Sequence, residues 1–186
     1  GQSSMTESPP DSPRSGTLRI LRRWSGGGGF ASRLLREEFN RREYAPAGRA
    51  RITALVNGVI RRKGTLDRLI DRFSAKKSPP ERSYVRQILR LAFFELLYLD
   101  QSPDYAIVHQ AGELGRSRLS RKERGYVNAV LREFLRRGKK ANFPPGTDPV
   151  AFLAATHSHP AWLVARWLKR MDYQEVEELC RTNNSS

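Results

Sequence analysis

A nearly uninterrupted run of nonpolar residues lies between Ile88 and Leu99, where only Arg90 and Glu95 are charged. A surface helix has a single apolar stripe, but this run is apolar on almost every side, which predicts burial by several neighbours. It is too short to span a bilayer, which needs about 20 residues. Because an unpaired buried charge costs several kcal/mol, Arg90 and Glu95 are expected to find partners in a structural network with Glu113 or Asn128. The alternative is a catalytic acid or base.

The start of this central helix is predicted from its capping residues. Ser78 can cap the helix, Pro79 suits the first helical position, and Glu81 completes a capping box. The predicted helix therefore covers Pro79–Asp100.

Apolar residues at helical spacing predict further helices on both sides, and no run alternates with the period of two that is typical of strands. Short connections favour antiparallel neighbours, so the predicted fold class is all-α. The four glycines Gly26–Gly29 lack the Gly-Lys-Ser/Thr sequence of a phosphate loop and are interpreted as a flexible connector. The other predicted helices are Arg14–Ser25, Phe30–Glu43, Arg49–Lys63, a short one from Thr65 to Phe73, Asp104 to about Gly115, and Ser120–Arg137 with a Ser120/Glu123 capping box.

The two ends of the chain differ from this helical domain, which is predicted to cover residues 14–137. Residues 1–13 are rich in Ser and Pro and are expected to be a disordered tail, and Gly1–Ser4 resembles the remnant of an expression tag. Residues 138–186 are predicted to be a linker followed by short helices whose apolar face is too small to be stable alone. These helices are Asp148–Thr156, Pro160–Arg170 and Asp172–Thr182.

Charge is the strongest signal in the composition. The chain has 34 Lys and Arg against 19 Asp and Glu, a net charge of +15. The basic residues concentrate in 14–63 and 116–140, whereas 91–115 contains no Lys or Arg. Patches of positive charge beside an acidic segment indicate a polyanionic partner such as RNA, with generic solubility as the alternative.

Three groups of basic residues are candidate RNA-binding sites. Arginines on the first helix suit phosphate contacts and base stacking, although a solvated helix face would look the same. Cations at the end of the third helix are also favoured by its dipole, whereas cations at the start of the seventh helix are disfavoured and so point more clearly to binding. The candidates are Arg14, Arg19, Arg22 and Arg23; Arg61, Arg62 and Lys63; and Arg121, Lys122 and Arg124.

Catalytic and metal-binding patterns are not found in the sequence. The single cysteine, Cys180, excludes an internal disulfide and lacks neighbours that would activate a thiol, so it is interpreted as inert packing. His157 and His159 are close in sequence but are interpreted as exposed loop residues. No cofactor motif, signal peptide or membrane span is recognised, so a cytoplasmic location without a membrane partner is expected.

Three segments resemble the NusB-like RNA-binding domain in order and spacing: RITALVNGVIRRKGTLDRLIDRF, VRQILRLAFFELLYLDQSPDYAIVHQAGEL and GYVNAVLREFLRR. The resemblance implies a bundle of about seven helices in two sub-bundles, with the short C-terminal helices added. It also implies RNA binding by the arginine-rich first helix. His109 and Gln110 stand where relatives often have Asn-Glu, so a contact at that position is not carried over.

VIRRKGTLDRLIDR and the extension HSHPAWLVARWLKRMDYQEVEELCRTNN are similar to the form of this domain that precedes ribosomal-RNA cytosine-5 methyltransferases of the RsmB (Sun/Fmu) type. The resemblance implies an N-terminal fragment that positions ribosomal RNA. The catalytic cysteines and the S-adenosylmethionine site of those enzymes would lie in a domain absent from this chain. A stand-alone antitermination factor that binds RNA with a ribosomal protein is the first alternative, and a DNA-binding regulator is the second. A protein partner or a weak dimer is also considered.

Overall fold

The structure is a computed structural model that describes residues 12–75, 77–99, 101–138, 150, 153–154 and 159–184. In these residues the secondary structure is helical and contains no strand, which confirms the predicted all-α class. The contacts divide the chain between Asn57 and Gly58 into two compact units. The helices are α1 (Pro13–Ser25), α2 (Ala31–Arg41), α3 (Pro46–Arg61), α4 (Lys63–Phe73), α5 (Tyr84–Tyr98), α6 (Asp104–Gly115), α7 (Arg121–Gly138), α8 (Ala161–Leu168) and α9 (Tyr173–Asn184).

The predicted tail and linker fall mostly outside the described residues, and so do His157 and most of the helix predicted at Asp148–Thr156. The predicted domain boundaries remain predictions. Among the described helices, none combines the length and the apolar composition needed to cross a membrane.

In the first unit, α1 packs against α2 through buried leucines. Ser12 caps α1 by accepting a hydrogen bond from the backbone N–H of Ser15 at 3.2 Å, and Pro13 occupies the first helical position. Leu18 and Leu21 are fully buried in α1, as is Leu34 in α2. The apolar stripes predicted for these two helices are therefore confirmed.

The glycine run between α1 and α2 is an ordered turn, so its interpretation as a flexible connector is wrong. Backbone N–H groups of Gly26, Gly27 and Gly28 donate to carbonyls in the last turn of α1. Gly27 and Gly29 have φ angles of 80° and 109°, a left-handed region that side chains with a Cβ rarely adopt. The glycines thus allow a tight hydrogen-bonded reversal.

In the second unit, α5 is the central helix, as its composition predicts. Every residue from Val85 to Leu97 is buried. The helix begins at Tyr84, so the predicted start at Pro79 with Ser78 as the cap is wrong. Ser83 is the cap instead, because its Oγ accepts from the backbone N–H of Arg86 at 3.1 Å. The residues before Ser83 form a turn that brings Glu81 to a different partner.

That partner is Arg90, whose guanidinium is completely buried. It donates to Asp67 Oδ1 at 2.8 Å, to Glu81 Oε2 at 2.7 Å and to Gln87 Oε1 at 3.0 Å. Burial would raise the pKa of Asp67, but hydrogen bonds from Arg90 and Lys63 outweigh it and hold that pKa below its ordinary value. The expected polar network exists, but the predicted partners Glu113 and Asn128 are wrong for Arg90.

Helices α4, α6 and α7 pack around α5. Phe134 of α7 makes edge-to-face contacts with Phe73 of α4 and Phe93 of α5, with ring centroids 5.3 and 4.9 Å apart. The ring of Phe94 lies so close to Gly58 that a Cβ there would meet its Cζ at 2.2 Å. Large aromatic side chains thus fill the centre of this unit, and a glycine makes room for one of them.

The C-terminal helices pack on this same unit, against α4 and α5. The last carbonyls of a helix lack partners within it. Arg166 Nε and Trp167 Nε1 of α8 donate to the carbonyls of Leu96 and Leu97 at the end of α5, each at 3.0 Å. Helix α8 therefore supplies hydrogen bonds that α5 cannot make within itself.

Helix α9 is held to α4 by charge. Asp172 caps this helix, since its Oδ1 accepts from the backbone N–H of Glu175 at 2.9 Å. Arg72 of α4 pairs with the buried carboxylate of Glu175 at 2.8 Å. Cys180 is buried in α9, and burial raises the pKa of its thiol to about 11, which agrees with its interpretation as inert packing. Nε2 of His159 lies 3.2 Å from the carbonyl oxygen of Cys180.

Candidate nucleic-acid interface

The arginines of α1 do not form the solvated row that the sequence suggests. Arg19 donates to Glu38 Oε1 from Nε at 3.0 Å and from a terminal nitrogen at 2.6 Å. The hydroxyl of Tyr44 donates to the same carboxylate oxygen at 2.8 Å and accepts from Arg19 at 2.9 Å. Because the side chain of Glu38 is only 7% exposed, this cluster ties α1 to α2 inside the first unit.

Arg23 is held in a similar way at the surface. Its guanidinium lies 2.5 Å from Glu37 Oε2, and this hydrogen bond lowers the pKa of the Glu37 carboxyl. Arg14 and Arg22 are half-buried. The two ion-paired arginines therefore have a structural role, and RNA contact by this helix remains a prediction.

The three basic residues at the junction of α3 and α4 differ in their surroundings. Lys63 Nζ lies 3.0 Å from Asp67 Oδ2 and 3.4 Å from Glu81 Oε1, and it belongs to the Arg90 network. The guanidinium of Arg62 lies 4.9 Å from the centre of the Tyr98 ring, a cation–π distance. Arg61 is exposed and has no ion-pair partner in the described part of the chain. Of the three, Arg61 is the cation best placed to meet a ligand.

The start of α7 presents two exposed cations, Arg121 and Lys122. The predicted capping box is confirmed, since Ser120 Oγ accepts from the backbone N–H of Glu123 at 3.1 Å and Glu123 Oε1 accepts from that of Ser120 at 3.0 Å. Neither cation has an ion pair within the described ranges. Two unpaired cations at the positive end of a helix dipole weaken the helix, so a role in binding explains them better than a role in stability.

Arg124, the third candidate on α7, lines a groove between α6 and α7 with a volume of about 890 Å³. Its Nε is buried and has no hydrogen-bond partner among the described residues. Basic side chains outnumber acidic ones along the groove. It is lined by Asp104, Tyr105, Val108, His109, Gly112, Glu113, Arg116, Arg124, Gly125, Asn128, Arg132, Leu135, Lys169 and Arg170.

Sequence reasoning missed most of this groove. One of its walls could have been found from periodicity, since Arg124, Asn128 and Arg132 recur every four residues and share one face of α7. Tyr105 and His109 share a face of α6 in the same way. Lys169 follows α8, far along the chain, and no local pattern indicates that it joins them.

The described residues show no cluster of three or more His, Cys, Asp or Glu side chains that could hold a metal ion. The candidate residues form a set of positive side chains on packed helices, which suits the binding of an anion.

Comparison with known proteins agrees with this fold. Residues 11–136 match the model described as the NusB family. The chain is 33% identical over 152 residues to the probable ribosomal RNA small subunit methyltransferase B of Bacillus subtilis, covering 82% of this chain and 34% of that protein. It is 32% identical over 119 residues to the transcription antitermination protein NusB of Bradyrhizobium diazoefficiens, covering 63% of this chain and 72% of that protein.

A corresponding methyltransferase of Synechocystis is 30% identical over 145 residues, and the chain covers 32% of its length. The chain thus spans about a third of these methyltransferase relatives. Among solved structures, antitermination factors NusB and NusE in complex with dsRNA match with a TM-score of 0.58 at 23% identity, covering 65% of this chain and 91% of that one. At this identity the match shows the fold.

Proposed function

Since the chain belongs to the NusB family, we propose that it is the RNA-binding domain of an S-adenosylmethionine-dependent ribosomal-RNA cytosine-5 methyltransferase. The observation that supports the RNA-binding part of this function is the pair of exposed, unpaired cations at the start of α7, in a chain whose fold matches NusB in a solved complex with NusE and dsRNA. Such cations contact phosphates and fix the register of the RNA.

The extent of the alignments favours the methyltransferase over a stand-alone factor. The alignment with the Bacillus subtilis protein covers 152 residues, more than residues 1–136 could supply, so it extends past the end of the family match. The alignment with the antitermination protein covers 119 residues. An alignment that continues past the family match supports the methyltransferase form of the domain over the stand-alone form.

In this proposal the domain acts by positioning. The helices that pack around α5 hold the cations rigidly. Bound RNA is therefore presented to a catalytic domain in a fixed orientation. We place the catalytic domain, its nucleophile and its S-adenosylmethionine site outside these 186 residues, where a cytosine flipped out of its stack would be methylated. The cytoplasmic location expected from the sequence remains a prediction.

Similarity to the antitermination proteins supports a second function. Sequence identity of 32% over 119 residues supports RNA binding together with a protein partner, as in the solved complex of NusB, NusE and dsRNA. This alternative predicts that RNA affinity rises strongly when a NusE-type protein is added, whereas the methyltransferase domain binds RNA alone.

The proposal is tested by filter binding of the whole chain to fragments of small-subunit ribosomal RNA. Arg121→Gln combined with Lys122→Gln is expected to weaken binding and to reduce the slope of log affinity against log salt by about 1.5 to 2. The charge-matched control is Arg36→Gln combined with Lys77→Gln, two exposed cations outside the candidate groups. The control is expected to bind like the wild type. Equal losses in both double variants, or no binding by the wild type in dilute buffer, would contradict the proposal.

A further inference from the structure

The groove between α6 and α7 has three walls that come from distant parts of the sequence. Tyr105 and His109 lie on the α6 side, and Arg124 and Arg132 lie on the α7 side. Lys169, just after α8, adds the third wall and lies outside the family match over residues 11–136. The groove is therefore completed by the C-terminal segment that the family model does not include.

The third wall is held in place by hydrogen bonds from α8 to the end of α5 and by an ion pair to the start of α6. Arg170 forms an ion pair with Asp104 at the start of α6 and donates to the carbonyl of Arg166 at 3.3 Å. With Arg166 and Trp167 bonded to the end of α5, the segment that carries Lys169 is held against α6. The groove is thus a preformed feature of the second unit.

The charge of the groove favours an anion. It carries five Lys and Arg side chains and two acidic ones, and both acids are matched by arginines, through the Arg170–Asp104 pair and the 3.5 Å pair between Arg116 and Glu113. Arg124, Arg132 and Lys169 have no ion-pair partner among the described residues. Three uncompensated positive charges along one groove suit successive phosphates of a nucleic-acid backbone.

An exposed aromatic ring at the same groove indicates which kind of nucleic acid the groove can bind. Tyr105 is 78% exposed, one of the most exposed large hydrophobic side chains in the described residues. His109, one helical turn away on α6, is also exposed. Rings beside a basic channel are the arrangement that binds single strands, since unpaired bases stack on them without regard to sequence.

The groove favours a single strand over a duplex, because its exposed rings can stack only on unpaired bases. Double-stranded RNA is instead contacted from outside, across its shallow minor groove. The volume of about 890 Å³ is near the upper end of the range for ligand pockets, about 300–1,000 Å³.

We infer that the groove between α6 and α7 binds a single-stranded segment of RNA, with Arg132 and Lys169 on its phosphates and Tyr105 stacked on a base. This inference rests on the proposed RNA-binding function and adds a second site, distinct from the cations at the start of α7. The C-terminal segment then has a role in binding, because it supplies Lys169.

The test measures fluorescence anisotropy of the whole chain with a labelled 12-nucleotide oligouridine and with an RNA duplex of the same length. Arg132→Gln combined with Lys169→Gln is expected to reduce the salt slope for oligouridine by about 1.4, at roughly 0.7 per phosphate on a single strand. A fourfold rise in salt then weakens the variant roughly sevenfold less than it weakens the wild type. The side chains of Arg132 and Lys169 are exposed, as is that of Tyr105, so thermal unfolding is expected to be unchanged when they are replaced.

Stacking is tested separately at Tyr105. Tyr105→Ala is expected to weaken oligouridine binding by about 5- to 150-fold, whereas Tyr105→Phe keeps the ring and keeps the affinity. The control pair Arg36→Gln and Lys77→Gln removes the same charge elsewhere. Duplex binding is expected to change little in any of these variants.

The possible outcomes separate this inference from the proposed function. If the wild type binds neither RNA, both are overturned. If it binds RNA and the groove variants behave like the control, or lose duplex and single strand equally, only the groove inference is overturned. Poly-glutamate serves as a further probe. If the wild type binds it and the groove variants bind it more weakly while their RNA binding is unchanged, the groove is a site for an acidic protein and the inference is overturned.

Discussion

Single residues show which cations hold the fold and which are available for binding. Arg19 and Arg90 are bonded to buried or half-buried carboxylates, whereas Arg61, Arg121 and Lys122 are exposed and without ion pairs in the described part of the chain. A guanidinium with its donors already bonded to carboxylates contacts a phosphate only after breaking those bonds. The exposed cations are therefore the better candidates for RNA binding.

Arg19→Ala is predicted to destabilise the chain, because it leaves the buried Glu38 carboxylate without its main partner. The expected loss is about 2–3 kcal/mol in the free energy of unfolding, measured with urea. Arg36→Ala, at an exposed position on α2, is the matched control and is expected to change stability by less than about 0.5 kcal/mol. Equal stability of the two variants would show that the Arg19 cluster is not structural.

Asp67 is predicted to make the free energy of unfolding depend on pH in the acid range. Its pKa is lower in the folded chain than in the unfolded chain, so its contribution is fully present above the unfolded pKa of about 4 and is lost as pH falls through the folded value. Asp67→Asn is expected to cost about 3–5 kcal/mol at pH 7, since Arg90 then stays buried with less compensation. The variant should also lose less stability than the wild type between pH 5 and pH 2.

Asp71 provides the matched control for that change. It pairs with Arg86 at 3.0 Å, but its side chain is 54% exposed. Asp71→Asn is therefore expected to cost about 1 kcal/mol or less at pH 7. Denaturant unfolding at several pH values checks both variants, and a flat profile for the wild type in acid would contradict the role given to Asp67.

Whole helices were easier to predict than the residues that begin them. Apolar spacing is a local property, so the positions of α1, α6 and α7 follow from the sequence within a few residues. The start of α5 did not, because Ser78 and Ser83 both satisfy the local rules for a cap. A tertiary contact decides between the two serines, because Glu81 accepts a hydrogen bond from Arg90 and does not form a capping box with Ser78.

The packing of α8 on the end of α5 gives a prediction about elements. Trp167→Phe keeps most of the ring but removes the N–H that satisfies the buried carbonyl of Leu97. The expected cost is about 1–3 kcal/mol, measured by thermal unfolding. Trp162, on the same helix but 57% exposed, is the control, and Trp162→Phe is expected to shift stability by less than about 0.5 kcal/mol. If both changes had the same effect, α8 would not be holding α5.

At the scale of the molecule, charge indicates a class of partner, whereas the place of contact depends on the fold. A net charge of +15 follows from counting and indicates a polyanion. Which cations are available depends on acidic partners from other helices, such as Glu37 and Glu38 for α1, and counting cannot reveal these. The groove was missed for the same reason, because α6, α7 and the end of α8 meet only in the fold.

We propose, as the central claim, that positive side chains fixed on packed helices bind the RNA backbone. The most direct test is the affinity of the unmodified chain for a ribosomal RNA fragment as the salt concentration rises. With six phosphates contacted at about 0.7 per phosphate, a fourfold rise in salt is predicted to weaken binding roughly 300-fold. Affinity that stays constant as salt rises, or no binding in dilute buffer, would contradict the account.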